Sequence, residues 1–261
     1  AMPKAEWGAE PEFFGPRHAH REGRILRALG EAAGAAGPHL ECAAGVGSLT
    51  LALARRGRRV VAADRSLRSL AETARCLRAS GEARGTAMPV CVDITRLPFR
   101  DGAFASATSA ETLEHIGDDG AAARELARVL HAGGTLVGTV PAGPGQWSAW
   151  DDWAGHERRY TADGMERLLR GAGLEPQVRV WGWPLVRLYD ALFLGRVNRR
   201  RLESPGESTD DARLRAVAAA GRSRKLVALV TAAFALDRLF DGVPWGVGLV
   251  FVARKPAGSA R

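Results

Sequence analysis

A mostly parallel α/β sheet is the fold class this sequence predicts, on three observations. Residues 38–66, PHLECAAGVGSLTLALARRGRRVVAADRS, read as a buried strand, a glycine turn, a helix and a second strand. Further along, strand-like apolar runs keep alternating with segments of helical period, the pattern of βα units. A chain of 261 residues is long enough to bury one large α/β core and to carry an inserted cap.

Residues 1–16 are rich in Pro, Gly and Glu and read as an arm. Arg17 to Leu29 reads as a helix, with Ile25, Leu26 and Leu29 on its apolar side. His39 to Ala43 is the first strand, Gly45 and Gly47 form the turn, and Leu49 to Arg56 is the next helix. Val60 to Ala63 is the second strand, closed by Asp64. Glycines let a ligand approach the backbone of such a turn. A carboxylate about twenty residues further on can accept hydrogen bonds from both hydroxyls of a ribose. The segment therefore points to a nucleoside-containing cofactor. Cys91-Val92-Asp93-Ile94 ends a third strand, a later strand ends at Trp181 and Trp183, and the last runs near Gly246 to Val252. Between Pro184 and Val243 lies an insertion, with a helical stretch from Leu185 to Asn198 and a polar segment holding Ser204-Pro205-Gly206. A second helix over Ser223 to Phe240 completes it. The core then spans 17–183 and 244–256, and the insertion, 184–243, reads as a helical cap over the substrate side of the sheet.

A nicotinamide or flavin site calls for Gly-x-Gly-x-x-Gly, whose third glycine admits a pyrophosphate at the helix start. Here the run is Glu41-Cys42-Ala43-Ala44-Gly45-Val46-Gly47-Ser48. It resembles the acidic-x-Gly-x-Gly-x-Gly signature of the class I S-adenosylmethionine-dependent methyltransferases, with Ala43 at the first glycine position. The strand-three acid, Phe104 to Ala110 as the fourth strand, the Glu111 to Ile116 segment after it, and Leu130 to Leu136 as the turn into strand five resemble that family's landmarks, in its order. The resemblance covers residues 18–182 clearly. It implies a Rossmann-like, seven-stranded sheet with helices on both faces and an antiparallel last strand between the fifth and sixth. It also implies S-adenosylmethionine as methyl donor and S-adenosylhomocysteine as product. By the same resemblance Glu41, Ala43, Gly45 and Gly47 cradle the methionine portion, and Asp64, with Arg65 beside it, holds the ribose. Asp93 and Ile94 meet the adenine, Ala110 borders the pocket, and Arg17, His18, His20 or Arg21 of the first helix meets the carboxylate.

The net charge of +8 and sequence pI near 10.3 invite a nucleic-acid reading. The arginines are scattered, however, and the densest cluster is Arg196, Arg199, Arg200 and Arg201. There is no zinc-finger spacing, RNA-binding sheet signature or basic tail, so a nucleic-acid partner is not expected. An RNA methyltransferase remains the alternative, and a non-catalytic cofactor-binding subunit a second one. Three cysteines make a disulfide framework improbable and suggest a reducing, cytoplasmic setting. No run of apolar residues is long enough to span a bilayer, and no signal peptide is evident. Stable membrane insertion is not expected. The apolar helices beside the arginine cluster leave open contact with a membrane surface.

Ligands of open α/β sheets bind beyond the carboxyl ends of the strands. The loop after strand five, PAGPGQWSAWDDWAGHERRY, carries Trp147, Trp150, Trp153 and Tyr160, and Trp183 follows strand six. These side chains suggest a pocket for a small apolar or aromatic molecule. A hydroxyl acceptor needs its proton removed, and His156 is the first candidate base. Glu111 and His115 form the other catalytic constellation, in the run Glu111-Thr112-Leu113-Glu114-His115-Ile116. The spacing predicts one helical turn presenting Glu111, Glu114 and His115 on neighbouring faces. That set resembles the ligands of metal-assisted members of the superfamily, with His156 a distant fourth. The same letters occur in members with no metal, and a metal is not expected. The reading that results is methyl transfer to a small molecule, on a hydroxyl of a secondary metabolite.

Overall fold

The computed structural model describes residues 15–32, 37–81, 86–196, 199 and 223–257. Most of the expected arm, Arg200, Arg201 and the Ser204–Gly206 segment lie outside these residues. In chain order the elements are α1 (Pro16–Ala32), β1 (His39–Cys42), α2 (Ser48–Ala54), β2 (Val60–Asp64), α3 (Leu67–Ser80) and β3 (Ala87–Cys91). Next come β4 (Phe104–Ala110), α4 (Asp119–Val129), β5 (Leu130–Pro141), α5 (Ala149–Ala154), α6 (Ala162–Gly171) and β6 (Glu175–Trp181). The chain continues through α7 (Leu185–Tyr189), a π-helical turn (Asp190–Leu194), α8 (Arg224–Phe234), a 3₁₀ turn (Ala235–Phe240) and β7 (Gly248–Arg254).

The strands form one seven-stranded sheet in the order β3-β2-β1-β4-β5-β7-β6. Only β7 runs antiparallel to its neighbours, between β5 and β6, as the resemblance implies. Helices cover both faces, because successive residues of a strand point to opposite sides. On β5, Leu136 packs with Leu126 of α4 and Met165 and Leu169 of α6, whereas Val137 packs with Ile25 and Leu29 of α1 and Leu49 and Leu53 of α2. β1 is buried throughout, and its one imidazole is satisfied internally: His39 bonds Ser106 and Thr108 through its two ring nitrogens, at 2.9 and 3.0 Å.

The insertion is anchored to α1 and to the end of β6. Val186, Phe234, Trp181, Val247 and Val250 form its core, with Tyr189 and Val230 packed against them. The buried Asp237 carboxylate accepts from the amides of Leu185 and Val186, both at 2.9 Å, and so satisfies two of the otherwise unpaired amides at the start of α7. Asp190 pairs with Arg17 at 3.0 Å and Asp241 with Arg24 at 2.5 Å, tying both ends of the insertion to α1.

Two local expectations change. The last strand runs to Arg254, because Arg254 still pairs with Thr135 on β5 and Glu175 on β6. Residues 111–116 are not one helical turn. Glu111 takes a left-handed backbone with φ of 51°, and only Leu113–His115 form a 3₁₀ turn, so Glu111 stands outside the turn that carries Glu114 and His115.

Candidate functional site

The carboxyl ends of β1 and β2 meet at the 43–47 turn. Ala43, Gly45 and Gly47 all have positive φ, at 56, 56 and 83°. Asp64 fixes the turn: one carboxylate oxygen accepts from the Gly45 amide at 2.9 Å, the other from the Ser66 amide at 2.7 Å. Each oxygen retains a lone pair at a half-buried position, so the residue still suits a pair of ribose hydroxyls. Thr73 of α3 closes the floor by donating to the Gly45 carbonyl at 2.8 Å. Asp93 lies past β3, exposed, with one oxygen accepting from the Thr95 amide and hydroxyl. Arg65 is exposed beside Asp64, and Ala110 ends β4 half-buried.

Two cofactor expectations are corrected here. Glu41 is not a charge offered to a ligand. It is 4% exposed, accepts from the Thr50 hydroxyl at 2.5 Å, and burial pushes it up to about 8. At neutral pH it is largely an uncharged core carboxyl, because the strand's alternation turns it toward α2. Ile94 packs into the main core with Leu97 and Leu113 instead of lying open beside Asp93.

Over this turn lies α1. His18 bonds Ser48 at 3.1 Å, Arg21 bonds His18 at 3.2 Å, and Arg21 pairs with Glu111 at 3.4 Å. Burial, then Arg21 and Arg17, lower His18 to about 3, so the arginines carry the positive charge. One buried oxygen each of Glu22 and Glu111 has no protein partner. A zwitterionic amino-acid group finds cationic donors and free carboxylate oxygens together here, so these residues fit the methionine end of the implied cofactor.

The second centre lies beyond β4 and β5. Asp151, buried at the start of α5, accepts from His156 Nδ1 at 2.7 Å and from Arg159 through both oxygens at 2.7 and 3.0 Å. Ser148 adds its amide and hydroxyl at 2.8 and 2.9 Å. Burial alone would raise Asp151, but hydrogen bonds from His156 and Arg159 outweigh it and hold it far below the usual carboxylate range. An ionised Asp151 assigns the His156 proton to Nδ1 and leaves Nε2 as an acceptor. The His115 ring meets that of His156 edge-on at 4.7 Å. Burial and then His156 lower His115 to about 4, so it is neutral at physiological pH. Beneath them is Glu114, fully buried, with neither carboxyl oxygen hydrogen-bonded. Burial and the nearby Glu111 charge push it well above the ordinary range, whereas Arg21 and Arg17 outweigh burial and hold Glu111 below it.

The donor atoms of Glu114, His115 and His156 lie within 4.8 Å of one another, a geometry able to hold a divalent cation. This set replaces the sequence-derived one, since Glu111 is drawn to Arg21. Asp151 and Arg159 were given no role on sequence; Asp151, five residues before His156, was the available signal. Asp190 was missed as well, and only packing brings it to Arg17.

The aromatic residues divide. Trp153 is 7% exposed and packs on the half-buried Trp150, the rings tilted by 37° with centroids 4.7 Å apart. Tyr160, expected to bind substrate, is buried, donating to the Leu113 carbonyl at 3.1 Å and bonding Asp119 at 2.8 Å. It locks the loop to the 3₁₀ turn. Trp147 is exposed, and Trp183 is half-buried, edge-on to Trp245 at 5.6 Å. Trp147, Trp150, Trp183 and Trp245 remain at the rim.

Residues 40–138, the span from β1 to the middle of β5 that holds the turn, Asp64, Glu111 and Glu114, match the family model described as a methyltransferase domain. Within that span the chain is a methyltransferase domain. Over 98 residues it is 42% identical to a demethylmenaquinone methyltransferase of Mycolicibacterium vanbaalenii, a match taking in 38% of this chain and 39% of that protein. The chain thus spans about two fifths of the curated relatives it matches. The methyltransferase domain and its surroundings also superpose on solved structures. The [4+2]-cyclase SpnF gives a TM-score of 0.65 at 23% identity, over 99% of this chain and 88% of that one. Phosphoethanolamine N-methyltransferase 2 of Haemonchus contortus, solved with S-adenosyl-L-methionine, gives 0.64 at 17% identity, over 96% of this chain and 56% of that one. At these identities the likeness is one of fold. Loop 142–160, which carries Asp151, His156 and Arg159, and the insertion lie outside the matched span.

Proposed function

We propose that this protein transfers a methyl group from S-adenosylmethionine to a hydroxyl of a small-molecule acceptor, a secondary metabolite with an apolar or aromatic body. The observation that carries the hydroxyl is the Asp151–His156 pair, 2.7 Å apart, at the carboxyl end of the sheet. The bound sulfonium would supply an already activated methyl carbon. The protein's residues then have two tasks, orientation and removal of one proton. His156 Nε2 accepts the acceptor's hydroxyl proton as the oxygen becomes nucleophilic, and the ionised Asp151 stabilises the resulting imidazolium. Arg159 keeps Asp151 ionised, and the neutral His115 ring holds the His156 ring in place. Arg21, Glu22 and Glu111 hold the methionine end, Asp64 the ribose. The half-buried rim tryptophans exclude water and receive the apolar body.

The test pairs calorimetric titration with S-adenosylhomocysteine and an acceptor screen using labelled methyl donor. His156→Ala should keep cofactor affinity and lose turnover. Turnover that survives the substitution sinks the base assignment, and no cofactor binding by the wild type sinks the whole reading.

A second reading, assistance by a divalent cation, is favoured by the unpartnered Glu114 oxygens beside His115 and His156. Asp151 would then orient His156 as a metal ligand, and a cation there would acidify the acceptor hydroxyl directly. Titration with Mg²⁺, Mn²⁺ and Zn²⁺ on wild type and Glu114→Gln separates the two readings.

A further inference from the structure

We propose that the outward face of α7, the π-helical turn, α8 and the following 3₁₀ turn is a docking surface for an anionic lipid bilayer. The two helices bury their facing sides on each other and on β6, through Val186, Tyr189, Val230 and Phe234. Their other sides carry large apolar residues into solvent. Leu188 and Phe193 are 54% and 56% exposed on one helix, and Leu229 and Leu239 are 69% and 81% exposed on the other and its 3₁₀ extension. Beside them Trp245 is 60% exposed, a residue type suited to the boundary between water and lipid headgroups. Exposed apolar side chains gathered on one feature mark an interaction surface.

Charge identifies the occupant. Among the described residues of the insertion every acid is turned inward: Asp237 caps α7, Asp190 pairs with Arg17 and Asp241 with Arg24. The cations Arg196, Arg199, Lys225 and Arg238 face solvent. Among the described residues, then, the charges fringing the apolar face are cations, which matches an acidic membrane surface. A second copy of the chain would bring the same cations against themselves, which opposes self-association. No described helix is long and apolar enough to cross a membrane, so the surface lies on the bilayer and does not span it. The face adjoins the rim formed by Trp183 and Trp245, where an acceptor dissolved in lipid would enter.

The test is cosedimentation of the full chain with vesicles of phosphatidylcholine alone and with phosphatidylglycerol added. It requires no turnover. Wild type should bind the anionic vesicles, ignore the neutral ones, and be released by roughly 0.5 M NaCl. Leu229→Glu with Leu239→Glu, at exposed positions, should weaken partitioning at least about tenfold without moving Tm. Lys225→Glu with Arg238→Glu should weaken it by about fivefold or more per cation. Absence of binding to anionic vesicles, or binding that survives the apolar double variant, overturns the proposal. Concentration-dependent dimerisation that the apolar variant abolishes, with vesicles ignored, assigns the face to a second copy and overturns it too.

Discussion

Replacing Ala43 by glycine should stabilise this protein, and the reason lies in one backbone angle. Ala43 stands at φ 56°, in the left-handed region, where a Cβ crowds the following carbonyl. That conformation costs a non-glycine residue about 1–2 kcal/mol. Glycine also frees the unfolded chain by about 0.4–1 kcal/mol, which subtracts from the gain. The net is roughly 0.5–1 kcal/mol, or about 1–3 °C in Tm for a chain of this size. Gly47→Ala is the counterpart with the opposite sign. Its φ is 83°, and an added Cβ would sit 2.7 Å from Thr73 Cγ2 and 2.9 Å from its hydroxyl. Thr73 is fully buried and bonded to the Gly45 carbonyl, so it cannot give way. Strain plus overpacking total about 2–4 kcal/mol, a fall of roughly 4–10 °C. Differential scanning fluorimetry with and without S-adenosylhomocysteine reads both variants. The ligand's affinity should hold within about threefold in Ala43→Gly and drop at least about tenfold in Gly47→Ala. A lower Tm for Ala43→Gly, or an unchanged one for Gly47→Ala, would refute the reasoning about the turn.

Other expectations follow from the same geometry. His156→Ala should lower the rate of methyl transfer by about 10²–10⁴ with cofactor affinity intact, measured with labelled donor and calorimetry. Asp151 is more acidic folded than unfolded, so the stability it confers is fully present above about pH 4 and fades only progressively as pH falls further; Asp151→Asn should have a lower Tm than wild type at pH 7, and the gap should begin to narrow only below about pH 4. Glu41 is less acidic folded, near 8, so wild-type stability should decline as pH rises from about 4 to 8; Glu41→Gln should flatten that slope in pH-scanned thermal melts. Tyr160→Phe removes a buried hydroxyl bonded to Leu113 and Asp119 and should cost about 1–2 kcal/mol with turnover nearly unchanged; a large loss of turnover at normal Tm would restore Tyr160 to the substrate site.

The sequence by itself determined the sheet and its cofactor turn. Those features are local: alternation of strand and helix periods sets the βα order, and a short glycine-bearing turn, with an acid ending the following strand, needs only neighbouring residues to be recognised. β4 matches the boundaries that the family resemblance implied, Phe104 to Ala110, a strand buried up to its last residue. The tertiary structure decided what side chains do once elements far apart in sequence meet. Glu41 lost its charge to burial against Thr50. Glu111 went to Arg21, which left Glu114, His115 and His156 as the compact set. Asp151, Arg159 and Asp190 gained roles from partners that no local pattern announces. Tyr160 and Trp153 turned from rim to core. Period and turn chemistry are written in adjacent residues. Charge state and partnership depend on distance and desolvation, which exist only after the chain has packed.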